Sequence, residues 1–153
     1  MAFTQLLFQT VFATKYRARV LTPPARPLLF RYINGFCRQQ KCKLHEVNCV
    51  SDHIHVIHDL HTTVAVARFV KDLKLATHAF IDAHDLFPDF DRWAVGYSCF
   101  SYSPEALPNL RRYVQRQQVH HGETEVPPVE TSREELLRLL REHGIPFDPK
   151  YVE

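Results

Sequence analysis

Residues 51–60, SDHIHVIHDL, set His53 and His55 two positions apart inside an otherwise apolar run. A strand alternates its side chains with a period of two, so His53, His55 and Ile57 share one face while Ile54, Val56 and His58 share the other. Two imidazoles emerging side by side can hold a divalent cation. They can equally be surface residues, or each be satisfied by its own hydrogen bond. In the metal reading Ile54 and Val56 bury into a helix layer, the histidine pair lies on the open face of the sheet, and His58, pointing the other way, is structural. A second chemical pair, Tyr113 and Gln117, occurs in LRRYVQRQQ. Four residues apart in a helix, they stand one turn from each other on the same face. If Gln117 joins His53 and His55 on a cation, Tyr113 sits beside that cation as a nucleophile. Such a neutral N, N, O donor set suits Mg²⁺ or Mn²⁺ and would also accept Zn²⁺, Co²⁺ or Ni²⁺ in vitro. Packing of the helix on a sheet is the plainer use of the same two residues.

The elements that must position these groups follow from hydrophobic period and turn signals. A first strand fits residues 3–14, closed by the basic turn KYRARVLTPP, and a helix fits ARPLLFRYINGFCRQQ, with Leu29, Ile33, Phe36 and Cys37 near one face. Two strands, KLHEVNCV and HIHVIHDL, are separated only by Ser51 and Asp52, which predicts an antiparallel hairpin. The next helix, starting near Thr62 or Thr63, places Val66, Phe69, Val70, Leu73, Thr77, Phe80 and Ile81 on one stripe that must cover a sheet. A fourth strand fits VGYSCFSYS, and a helix opened by Pro108 fits PNLRRYVQRQQVHH. After the polar connector GETEVPPVE a last helix begins at Ser132, with Ser132 and Glu135 in capping-box spacing, and ends at Gly144. The order predicts an α+β, ferredoxin-like (RRM-like) antiparallel sheet with helices on one face and the tyrosine-bearing helix after the last strand. Residues 1–153 are expected to form one domain, of which 122–153 are the C-terminal connector and helix.

Charge adds a partner class. Residues 1–50 carry eight Lys/Arg against the single acid Glu46, whereas residues 122–153 carry four basic and eight acidic residues. That asymmetry suits a polyanion on one side of the molecule, with a solvated surface as the plainer alternative. Lys15, Arg17, Arg19, Arg38, Lys41 and Lys43, with Arg111, Arg112 and Arg116 beside the tyrosine, are the candidate phosphate contacts, and Tyr16 or Tyr97 could stack on unpaired bases. Lys71 and Lys74 fit the wet side of their helix better than a DNA surface. His120 and His121 divide evenly between a helix-capping role and a DNA or metal role. The four cysteines form no CxxC pair, and a zinc knot of Cys37, Cys42, His45 and Cys49 would need a helix residue and a strand residue to converge by accident. No segment has the length of apolar sequence that spans a bilayer, and the N-terminus lacks the features of a secretory signal, so a cytoplasmic location is expected.

VFATKYR near the start, DHIHVI in the middle, DRWAVGYSCFSYS, LRRYVQRQQVHH and the ending HGIPFDPKYV occur in this order over nearly the whole chain. Together they resemble the single-tyrosine HUH transposases, the insertion-sequence-200-like enzymes and their REP-associated relatives. Ser51 stands where that family commonly has proline. The resemblance implies a metal-dependent endonuclease and strand transferase acting on single-stranded, hairpin-containing DNA through a 5′-phosphotyrosine intermediate. Tyr113 would be the nucleophile, His53, His55 and Gln117 the ligands of Mg²⁺ or Mn²⁺, and a homodimer the working assembly. The alternative is a ferredoxin-like nucleic-acid-binding module without cleavage activity.

Overall fold

The computed structural model describes residues 1–152. Its elements are β1 (Leu7–Ala13), α1 (Arg26–Gln39), β2 (Leu44–Cys49), β3 (His53–Asp59), α2 (Val66–His84), β4 (Ser98–Tyr102), α3 (Leu107–Gln115), α4 (Gln117–His120) and α5 (Ser132–Glu142), with short 3-10 turns between some of them. The four strands form one sheet in the order β2-β3-β1-β4, antiparallel throughout. Two strand–helix–strand crossovers, each split by an intervening strand, interleave to make it, which is the ferredoxin-like arrangement.

Helices α1 and α2 cover one face of the sheet. The expected apolar stripes do this: Leu29, Ile33 and Phe36 of α1 and Phe69, Val70, Leu73 and Ile81 of α2 join Phe12, Ile54 and Val56 in the main core. Cys37 and Cys49 lie in the same core, where burial pushes both thiols up to about 12, so they are packed as protonated apolar groups. His58 faces this layer. It stacks on Phe69 with ring centroids 4.3 Å apart, and its Nε2 lies 2.8 Å from Thr10 Oγ1 while Nδ1 donates to the Asp59 carbonyl.

Burial pulls the His58 imidazole down to about 4. The unfolded chain, with an ordinary value near 6.5, therefore takes up the proton first. Stability is complete above about pH 6.5 and falls as the pH drops toward 4, by at most about 1.4 kcal/mol per pH unit from this residue. His58→Phe is expected to flatten that part of the acid limb in urea unfolding measured from pH 7 to pH 4. An unchanged slope would show that His58 charges freely in the native state.

Several boundaries differ from expectation for identifiable reasons. Strand β1 starts at Leu7 rather than Phe3, because Leu7 is the first residue with partners on both sides, Asp59 and Tyr102. Helix α2 starts at Val66, since Thr63 instead closes a small turn in which its hydroxyl meets His61 Nδ1 at 2.7 Å. The single helix expected over 108–121 is broken at Arg116. Asn48 of β2 causes the break by donating to the Val114 carbonyl at 2.8 Å, while Gln118 donates to Asn48 Oδ1 and the Cys49 carbonyl. The capping box of α5 is Thr131 with Glu134, one residue earlier than Ser132 with Glu135. Gly144 ends α5 in the left-handed conformation that a helix C-terminus favours.

The face carrying the histidines is not open. Leu7 and Ile57 pack there under Leu110 and Val114 of α3, and His143 at the end of α5 stacks on Phe100. Helices therefore flank both faces, and His53 and His55 are 2% and 0% exposed. Among the described residues no helix is long and apolar enough to cross a membrane.

Candidate active site

Strand β3 delivers His53 and His55 to the same side, as the alternation requires, with ring centroids 5.0 Å apart. The side chain between them is a carboxylate. Glu135 of α5 places Oε1 3.0 Å from His53 Nε2, 3.0 Å from His55 Nε2 and 3.1 Å from His121 Nε2. Its Oε2 accepts from Gln117 Nε2 at 2.9 Å and from the Tyr113 hydroxyl. Arg138, one turn further along α5, donates to the same tyrosine oxygen at 2.8 Å, and its guanidinium is anchored by Glu130 and Glu142.

The far nitrogen of each histidine is held by an acceptor. His53 Nδ1 donates to Asp52 Oδ1 at 2.7 Å, His55 Nδ1 to Gln9 Oε1 at 2.7 Å, and His121 Nδ1 to the Glu130 carbonyl at 2.9 Å. These partners fix ring orientation and direct every Nε2 inward. Gln9 is itself fixed by donating to the Tyr102 hydroxyl at 2.8 Å, and Asp52 accepts from Ser132 at 3.1 Å. Ser132 thus braces the histidine support instead of capping its helix.

Charge in this pocket is strongly perturbed. Burial alone would raise the Glu135 carboxyl, but the surrounding imidazoles, His55 foremost, hold it far below the usual carboxylate range. Burial opposes a charged His53 as well, yet hydrogen bonds and charge from Asp52 and Glu135 outweigh it and raise His53 to about 9. For His55 burial wins and the ring stays neutral more readily than usual. Burial and the Glu135 charge push Tyr113 up, while Arg138 and Gln117 act to lower it.

Two buried polar atoms among the described residues have no hydrogen-bond partner, Gln117 Oε1 and His121 Nε2. The second lies 3.1 Å from Glu135 without the alignment of a hydrogen bond. His121 Nε2 stands with His53, His55 and Glu135 in one group of donor atoms within 4.8 Å of one another, which is the donor set a cation would complete. The residues present therefore fit a divalent metal.

A cleft of about 550 Å³ opens from this pocket, reaching His53 and Glu135 at its floor and Lys15, Tyr16, Arg17 and Tyr97 at its walls. Tyr16 and Arg17 both hold left-handed backbone, with φ of 58° and 51°, and Tyr16 is left 80% exposed at the mouth. The other predicted phosphate contacts are elsewhere. Arg19 is exposed beyond the cleft. Arg38, Lys41 and Lys43 border a depression at the end of the sheet away from His53. Arg111, Arg112 and Arg116 are exposed on the outer side of the tyrosine helix, where Arg111 pairs with Glu46 at 3.6 Å.

Residues 2–117 match the family described as transposase IS200 like. The chain belongs to the IS200-like transposases. Two solved structures share the fold of this IS200-like chain. One is described as a transposase from Deinococcus radiodurans R1, with a TM-score of 0.59 and 21% identity over 76% of this chain and 95% of that one. The other is a REP-associated tyrosine transposase bound to a REP hairpin, with a TM-score of 0.57 and 16% identity over 82% of this chain and 77% of that one. No curated protein matches.

The family match stops at Gln117, whereas Glu135 and Arg138, the groups that touch Tyr113, come from α5. Sequence reading placed His53, His55, Tyr113 and Gln117 together and left His121 undecided. It missed Gln9, Asp52, Glu130, Glu135 and Arg138. One signal for Glu135 was available, since it lies four residues before Leu139 on the buried side of an amphipathic helix, where an unpaired acid is rare.

Proposed function

We propose that this transposase cuts and rejoins single-stranded DNA at hairpin-containing ends, with Tyr113 as the nucleophile. The observation that carries the reading is the position of the Tyr113 hydroxyl, bound to the same carboxylate that touches both His53 and His55. His53, His55 and Gln117 are the residues that would hold a divalent ion, Mg²⁺ or Mn²⁺. When bound, such an ion supplies Lewis acidity and offsets the charge that builds on the phosphate oxygens.

The residues of the chain account for the remaining steps. Glu135 Oε2 accepts the Tyr113 hydroxyl hydrogen bond and so aims its oxygen, and Arg138 steadies the phenolate once the proton has left. The phenolate oxygen bonds to the scissile phosphorus as the bond to the departing 3′ oxygen breaks, and that oxygen takes a proton from water, leaving a 3′ hydroxyl and a 5′-phosphotyrosine. The ester retains the energy of the phosphodiester, so another 3′ hydroxyl can reverse the step onto a new end. Lys15 and Arg17 fit the backbone of a strand lying in the cleft, and Tyr16 and Tyr97 offer ring faces to its bases. Tyr113 reaches the histidines of its own chain, so in a homodimer each subunit would carry a complete site for one DNA end.

The test is incubation with a 3′-labelled, hairpin-bearing single-stranded oligonucleotide and Mn²⁺, followed by denaturing electrophoresis. Label migrating with the protein is the expected result. Binding without any covalent product would favour the non-cleaving nucleic-acid-binding module.

A further inference from the structure

We propose that His121 and Glu135 bind the same cation as His53 and His55, so that the segment after the tyrosine helix completes a site of three imidazoles and one carboxylate. This rests on the reading that the histidine pair holds a metal, and it assigns two further ligands and the class of ion.

Donor spacing is the first support. The three Nε2 atoms lie 3.0, 3.0 and 3.1 Å from Glu135 Oε1. Ligands in adjacent positions on one ion at about 2.1 Å stand about 3.0 Å apart. All four donor atoms fall within 4.8 Å of one another.

Hydrogen bonding is the second support. Each Nδ1 faces an atom that can only accept: a carboxylate oxygen of Asp52, the amide oxygen of Gln9 and the backbone carbonyl of Glu130. Each Nδ1 therefore carries the hydrogen, and in a neutral ring the Nε2 lone pair points at a carboxylate oxygen. Lone pairs facing lone pairs in a buried pocket are repulsive. Protonating all three rings would put three buried cations around Glu135, whereas one divalent ion at the centre gives Oε1 and the three Nε2 atoms a common partner. His121 Nε2, an orphaned buried acceptor, finds its partner the same way.

The helix supplies the third support. Thr131 and Glu134 fix the start of α5, and that register turns Glu135 inward until it is 2% exposed, a costly position for an acid without a cation. Three imidazole nitrogens favour Mn²⁺, Co²⁺ or Zn²⁺ over Mg²⁺, which prefers oxygen donors and holds its water tightly.

The experiment uses the full chain, stripped of metal and titrated with Co²⁺ and Mn²⁺ under calorimetry and visible absorption. Variants are Glu135→Gln, His121→Ala and His53→Ala, each checked for native circular dichroism. The wild type is expected to bind both ions and to resist displacement by hundredfold excess Mg²⁺. Glu135→Gln and His121→Ala are each expected to weaken binding at least about tenfold and to change the Co²⁺ visible bands, which a purely structural role would leave alone. If either variant binds and absorbs as the wild type does while His53→Ala loses the ion, the added ligands are wrong and the histidine-pair reading stands. If His53→Ala binds normally, the ion is elsewhere and both fall.

Discussion

Tyr113→Phe should abolish the covalent protein–DNA product, a loss of at least about 10³-fold in the rate of adduct formation. The change removes one oxygen, and that oxygen is the atom that would join phosphorus. Its two neighbours, the Glu135 carboxylate and the Arg138 guanidinium, remain tied to His53, His55 and Gln117 and to Glu130 and Glu142 respectively. The pocket therefore keeps its shape and its donors. Denaturing gels with 3′-labelled DNA measure the loss, and Mn²⁺ titration of the same variant should match the wild type. An adduct that survives in Tyr113→Phe would remove Tyr113 from the reaction. Loss of metal binding along with the adduct would mean that the hydroxyl holds the site together and that the chemistry remains unassigned.

Phe69→Ala is expected to cost about 3 to 5 kcal/mol in urea unfolding, out of roughly 5 to 15 kcal/mol for a domain of this size. Phe69 is fully buried, stacks on His58 and lies against Phe36 with ring centroids 5.8 Å apart. Deleting the ring opens a void where α1, α2 and β3 meet, and His58 loses the surface that keeps it dry. Because β3 carries His53 and His55 on its opposite face, the variant also tests whether the core holds the site in place. A cost under about 1 kcal/mol would show that the layer collapses around the gap and that the sheet is held from the other side.

Periodicity carries information about faces, and faces were what the sequence made legible. The two-residue alternation of β3 separated His53 and His55 from Ile54, Val56 and His58, and the structure keeps that separation. The stripe from Phe69 to Ile81 covers the sheet as its spacing requires. The order of strands and helices restricts the ways a ferredoxin-like sheet can pair, because short connections and split crossovers leave few alternatives. The helix break at Arg116 was hidden, since it is imposed by Asn48, which lies 66 residues before Val114, the residue whose carbonyl it binds.

Read alone, the chain set His53 beside His55, because both sit in one strand whose local period aligns them, and it set Tyr113 near Gln117 by a helical spacing that survives the break at Arg116. What closes the site, on the other hand, was settled only by packing. Glu135 and Arg138 arrive from a helix beyond a polar connector, and Gln9 arrives from a strand more than forty residues before its partner His55. No local period links such positions. Glu135 carries the same sequence signature as a cap residue, and only the register set by Thr131 and Glu134 turns it inward, so that its carboxylate meets three imidazoles and a tyrosine instead of water.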